Sequence, residues 1–210
     1  ALDSKVEEGY RNFGINLVQG YGLTESSPVV CVNYFPGKDE NKHRCGTIGK
    51  ALPKVQVKIE EPNEEGIGEL MVKGPNVMMG YFGDEEATKE TIEDGWLHTG
   101  DLCSIDKDGY IYIYGRKKSV IVLKNGKNIF PEEMENLVNK IEGVQESMIY
   151  SILNKDAKDE NDIRIAARVV YDKDIMKEMY NIEDEKEIYE IINNKIKEIN
   201  KIMPLYKSIR

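Results

Sequence analysis

Several large protein classes are closed to this sequence by what it lacks. Its 210 residues hold 29 Lys and Arg against 38 Asp and Glu, a formal net charge of -9. A protein that grips nucleic acid must meet the phosphates with clustered cations, so the charge argues against a nucleic-acid partner. No apolar run reaches the roughly 18 residues of a membrane span, which argues against an integral membrane segment. Cysteine is scarce: Cys31, Cys45 and Cys103 form no CxxC pair. Free thiols and a reducing, cytoplasmic setting are therefore expected. No secretory leader is evident, and a start at Ala1 instead of Met suggests a chain cut from something longer. Internal repeats and low-complexity tracts are missing as well. The histidines number two. His43 stands near Cys45, but two ligand types with no further cluster argue against a metal there. His98 reads as structural, or loosely near substrate, rather than catalytic.

What remains is the composition of an ordinary globular protein, 40% hydrophobic and 32% charged, long enough for one large or two small domains. Helical spacing of Val6, Tyr10 and Phe13 ends at Gly14, a C-cap residue. The run Ile15-Asn16-Leu17-Val18 reads as a buried strand. Val55-Gln-Val-Lys-Ile59 and Gly68-Glu-Leu-Met-Val-Lys73 read as a strand pair around the turn Asn63-Glu-Glu-Gly66. Asp84 caps a short helix running to Thr91. A hairpin of residues 102–105 and 110–114 is expected after the segment Gly95-Trp-Leu-His-Thr-Gly-Asp101, with Asp106-Lys-Asp-Gly109 as its turn. Alternation of Tyr110, Tyr112 and Tyr114 with Ile111 and Ile113 gives that second strand two different faces.

The character changes after Gly115. Arg116-Lys117-Lys118-Ser119 reads as a polar boundary, giving domains of residues 1–117 and 118–210. Beyond it, Asn125-Gly126 joins two short strands, and Pro131-Glu132-Glu133 opens a helix with Pro and acids in its first turn. Two strands near 147–153 and 163–170 follow, split by a Lys/Asp/Asn loop. A last helix carries Ile188, Ile192, Ile196 and Ile199 on one face. The order β-β-α-β-β-α describes a small α+β domain.

Chemistry concentrates in Gln19-Gly20-Tyr21-Gly22-Leu23-Thr24-Glu25-Ser26. Gly20 and Gly22 let the backbone turn tightly and approach a ligand. The Thr24 hydroxyl can donate to a phosphate oxygen, and the Glu25 carboxylate can hold Mg²⁺. Tyr21 offers a face to a nucleobase. A third glycine and a Lys-Ser/Thr pair are missing, so this is neither a dinucleotide fingerprint nor a phosphate loop. Asp101, behind a Thr-Gly turn, can accept both ribose hydroxyls, and Arg116 can reach the ribose and phosphate of the same nucleotide.

With Lys124-Asn-Gly-Lys-Asn-Ile-Phe-Pro-Glu-Glu133, these stretches resemble the adenylate-forming (AMP-dependent synthetase and ligase) superfamily in order and spacing. The wording is most similar to its bacterial long-chain fatty-acid–CoA ligases. The resemblance implies an α+β fold, the β-rich, barrel-like end of a large domain followed by a small mobile lid. It implies ATP and AMP, Mg²⁺ and coenzyme A as cofactors and co-substrate, and a fatty acid as substrate. Tyr21 would stack on adenine, Thr24 would bind phosphate, Glu25 would hold Mg²⁺, and Asp101 with Arg116 would bind ribose. Lys118 falls on the hinge position, and Gly126 would approach the site for thioester formation. The family's upstream phosphate loop is absent, and Lys207 comes too early to be its terminal lysine. The chain is thus expected to be a C-terminal fragment that does not adenylate by itself. Peripheral membrane contact or a dimer stays open for the parent. Two rivals stand beside this reading: a domain loading a carrier protein, and a non-catalytic nucleotide-binding remnant.

Overall fold

A computed structural model describes residues 2–34, 42–154 and 162–210. They divide into two compact units, Ala1–Lys118 and Ser119–Arg210. The architecture is α+β, with antiparallel sheets in both units.

The first unit opens with α1 (Ser4–Asn12). The Asp3 carboxylate accepts from Lys5 N at 2.8 Å, satisfying one free donor of the first turn. Gly14, at φ 76°, closes the helix by donating to Arg11 O. The Val6, Tyr10 and Phe13 stripe is exposed, and the one buried helix residue is Glu7. Residues 15–18 form no strand, against expectation, and Ile15 is 50% exposed. Apolar content alone does not make a strand. Ladder partners do, and pairing begins only at Gly20.

From there β1 (Gly20–Gly22), β2 (Val29–Val32) and β3 (Lys50–Ala51) make an antiparallel sheet in that order. A second sheet contains β4 (Gln56–Glu60) and β5 (Gly68–Lys73). Then α2 (Glu85–Thr91), capped by the Asp84 carboxylate at Ala87 N, leads into β6 (Ile92–Glu93), β7 (Trp96–Ile105) and β8 (Ile111–Arg116). Its order is β4-β5-β7-β6, with β8 also on β7.

Residues 96–101 are thus strand, not the loop before a hairpin. The ten-residue β7 pairs with β5, β6 and β8 in turn, and those three partners override the turn signal of its Thr-Gly. The glycine's effect is local: Gly100 sits at φ 70° and both ladders slip register near it. Leu70, Val72, Leu97 and Ile111 are fully buried between the strands, with Val30 and Cys31 from β2. Each such side chain contributes roughly 1.5–3 kcal/mol relative to exposure.

The second unit starts with a hairpin, β9 (Ile121–Val122) and β10 (Asn128–Ile129). Gly126, at φ 75°, closes its loop by donating to Leu123 O. Pro131 begins α3 (Pro131–Val138), followed by β11 (Val144–Leu153) and β12 (Ile163–Tyr171), which pair antiparallel in a long ribbon. The loop expected between those strands lies outside the described residues. Two helices finish the unit, α4 (Lys173–Tyr180) and α5 (Glu185–Ile202). α4 departs from the expected β-β-α-β-β-α order. It is eight residues long, is capped by Asp172 and buries Met176, and its Met176, Met179 and Tyr180 stand at helical spacing, a signal the expected order passed over. On α5, Ile188, Ile192 and Ile196 are buried and Ile199 packs beside them, as the spacing required.

Candidate functional site

Gly22 is dictated by the fold. A Cβ there would meet Pro28 O at 1.6 Å, and backbone cannot give way by that much. The contact arises because β1 slips register against β2 after Tyr21, so that Gly22 faces Val29. Ser26 then fixes the next turn. Its buried hydroxyl accepts from Leu23 N at 2.9 Å and lies 2.8 Å from Pro28 O. Residues Thr24–Ser26 form a single 3-10 turn, which leaves Thr24 exposed and Glu25 half-buried. One Glu25 oxygen accepts from the Tyr81 hydroxyl at 2.9 Å, a bond that raises the Tyr81 pKa, and Glu25 O accepts from Met78 N. Among the described residues no bond reaches the other Glu25 oxygen, so a hard carboxylate donor of the kind Mg²⁺ takes is at hand.

The second element is centred on Asp101, which is 5% exposed. Its two oxygens are divided: one accepts from the Tyr21 hydroxyl, and the other lies 3.2 Å from Arg116 Nε. Burial, joined by the hydrogen bond and charge of Asp101, raises the Tyr21 hydroxyl far above its ordinary range, so Tyr21 is a donor at any working pH. Arg116 Nη1 also donates to Thr99 O at 3.2 Å. The Thr99 hydroxyl donates to Leu70 O at 2.7 Å and accepts from Asp101 N at 3.1 Å, tying the backbone of the aspartate to β5.

The Gly100 kink that aims Asp101 has its own brace. Gly100 N donates to Glu69 Oε1 at 3.0 Å, while Lys117 Nζ reaches Glu69 Oε2 at 2.8 Å and His98 Nδ1 lies at 3.4 Å. Burial opposes the Glu69 charge. The bonds from Lys117, Gly100 and His98 outweigh it and hold the carboxyl below the usual range. Lys117 in turn is raised by that bond.

Of the residues singled out in the sequence, Tyr21, Asp101 and Arg116 are thus directly bonded. Gly20 and Gly22 flank Tyr21 on β1, and Thr24 and Glu25 follow on the adjoining turn. Lys118 is exposed, in the turn Lys117–Ser119, and joins none of these bonds. Gly126 belongs to the second unit. Glu69, Ser26, Thr99 and Tyr81 were not singled out. Glu69 had a signal: a carboxylate between Gly68 and Leu70 in an otherwise apolar strand must find cations once that strand is central. His43 and Cys45, read as two ligand types without a third, have Glu7 beside them.

Comparison with known proteins places this geometry in context. Residues 1–82 match the family model described as AMP-binding enzyme. The long-chain-fatty-acid–CoA ligase of Salmonella typhimurium is 42% identical over 138 residues, covering 63% of this chain and 24% of that enzyme. A 2-succinylbenzoate–CoA ligase from Oceanobacillus iheyensis is 39% identical over 144 residues, covering 68% of this chain and 29% of that enzyme. Among solved structures, O-succinylbenzoate coenzyme A synthetase from Bacillus subtilis, in complex with ATP and magnesium ion, superposes with a TM-score of 0.73. It has 29% identity over 98% of this chain and 39% of that one. The chain therefore spans about a quarter of the length of the curated relatives it matches.

Proposed function

The chain belongs to the adenylate-forming AMP-binding enzymes, in their acyl-CoA ligase branch, and from that premise we propose that it is the nucleotide wall of a ligase for long-chain fatty acids. The observation that carries the reading is Asp101, a buried carboxylate held between Tyr21 and Arg116, with Tyr21 three residues before the Thr24-Glu25 turn. The fatty-acid assignment rests on the Salmonella relative's name and on sequence wording. The succinylbenzoate relative is why it stays a proposal.

In the reaction, an oxygen of the fatty-acid carboxylate would bond to the α-phosphorus of ATP as the bond to pyrophosphate breaks. The coenzyme A thiol would then take the acyl group from the adenylate and release AMP. Asp101 would accept the ribose hydroxyl protons in hydrogen bonds. A carboxylate oxygen has two lone pairs, so this does not require Tyr21 to leave. The Arg116 guanidinium would hold ribose and phosphate, Tyr21 would present its ring to adenine, and Thr24 would donate to a phosphate oxygen. Glu25 would hold Mg²⁺, which when bound neutralises phosphate charge. These groups act by position and charge fixed in advance, the form of catalysis that costs no reorganisation during reaction. Lys118 is assigned to the hinge and Gly126 to the loop that meets the site for the thioester step, with residues 1–117 as the end of the large domain and 118–210 as the lid.

The test is ATP–pyrophosphate exchange by the complete protein across carboxylic acids of graded chain length. Exchange that rises toward long fatty acids is the expected result. Exchange with succinylbenzoate alone would overturn the substrate, and exchange with no acid would overturn the ligase reading.

A further inference from the structure

We infer that Glu7, His43 and Cys45 form a binding site for one divalent zinc ion, apart from the Asp101 cluster. Three donors of different chemistry converge there from two chain segments: a carboxylate on α1, and an imidazole and a thiol two residues apart. Their ligand atoms all lie within 4.8 Å of one another. Glu7 is 2% exposed and the His43 side chain equally so, which is uncommon shelter for ionisable side chains at the foot of an otherwise exposed helix.

The dimensions suit the ion. His43 Nε2 lies 3.7 Å from Cys45 Sγ and 2.8 Å from Glu7 Oε1. A tetrahedral zinc centre with ordinary bond lengths separates nitrogen from sulfur by about 3.6 Å and nitrogen from oxygen by about 3.3 Å. The first edge is already at that length, and the second needs to open by about half an ångström. A single proton between Nε2 and Oε1 closes this edge in the metal-free chain, at the place an ion would take.

Each ligand also has the outer partner that metal sites employ. His43 Nδ1 faces Tyr34 O, so Nε2 is the nitrogen turned to the cluster. The second oxygen of Glu7 accepts from Gln19 Nε2 at 2.9 Å and from Gly46 N at 3.2 Å, leaving Oε1 for the ion. Arg11 Nη2 donates to Cys45 Sγ at 3.4 Å. Burial and the Glu7 charge hold the metal-free thiol above its usual range, so the ion would take the place of its proton. A sulfur and an imidazole select zinc over magnesium, so this site would not compete for the ion assigned to Glu25. Three protein ligands leave a fourth position for water.

The experiment is a Co²⁺ titration of the reduced 210-residue chain, followed by absorbance and then by Zn²⁺ displacement. One equivalent should produce a thiolate-to-cobalt charge-transfer band that Zn²⁺ removes. Cys45→Ser, at a half-buried position, should keep the circular dichroism spectrum and lose the band. Glu7→Gln should keep the band and weaken binding at least tenfold. A band that persists in Cys45→Ser would place the metal on another cysteine and overturn the site. Absence of stoichiometric binding by the folded wild-type chain would overturn it too.

Discussion

Seven polar or charged side chains are buried among the described residues of the first unit: Glu7, Ser26, Asn33, Thr47, Glu69, Thr99 and Asp101. Among the described residues of the second unit Ser147 stands alone, and the core is Ile, Met and Val. Burying a polar group is costly unless every bond it loses to water is replaced. The first unit replaces those of Glu69, Thr99 and Asp101 with a network that includes Gly100, Arg116 and Tyr21, and those of Glu7, Ser26, Asn33 and Thr47 with separate local bonds. Among its described residues the second builds no such network: its helix stripes are satisfied by burial, and the buried Ser147 hydroxyl has no hydrogen-bond partner there. The difference separates a region built to present charge in a fixed geometry from one built to hold its own shape.

The comparison breaks most visibly at Gly22. Gly22→Ala should prevent folding of the first unit, since no shift of Pro28 O by more than an ångström is available. Hydrogen exchange should then show residues 20–105 unprotected while β11 and β12 stay protected. Loss of protection in both units would mean that they do not fold separately. In the second unit the largest effect should come from Ile188→Ala, which leaves a cavity and costs about 3 kcal/mol in urea unfolding.

A pH experiment sharpens the electrostatic half. Glu69 has its pKa lowered in the folded state, so its contribution is present above the unfolded glutamate value, about 4. That contribution is lost as the pH falls through the lower folded value. Glu69→Gln should be less stable than wild type at neutral pH and should lose less on acidification. Parallel curves for the two proteins would show that the carboxylate is not what the Lys117 and Gly100 bonds stabilise. The smallest effect belongs to Gly126→Ala. Its φ of 75° disfavours a side chain, yet a Cβ there meets open space, so a cost of roughly 1 kcal/mol is expected.

Much of this was legible in the residues themselves. Asp84 and Gly14 marked helix ends, and Asn63 marked a turn. It braces that turn with bonds from Glu65 N and Ile67 N to its side chain. The β4–β5 pair followed from its alternation and punctuation. Two errors share a cause. Residues 15–18 were apolar enough for a strand, and residues 95–101 had the Gly of a turn, but strand identity is decided by partners that local sequence does not name. The helix α4 was legible too, from its Asp172 cap and the spacing of Met176, Met179 and Tyr180, but was passed over. At the site, the motif residues could be named singly, while their brace could not. That Glu69 grips Gly100 N depends on the β5–β7 register, and that Glu7 meets His43 depends on how α1 lies against residues 42–46.

The central claim is that Asp101, fixed by Tyr21 and Arg116, is the ribose anchor. Calorimetric titration of AMP into the 210-residue chain and into Asp101→Asn tests it most directly. The variant keeps the volume and removes the charge, and hydrogen bonds to a charged acceptor contribute about 1.5–3 kcal/mol each. The account predicts measurable AMP binding by the wild-type chain and at least a tenfold weaker affinity in the variant. Equal affinity in the two proteins would contradict it.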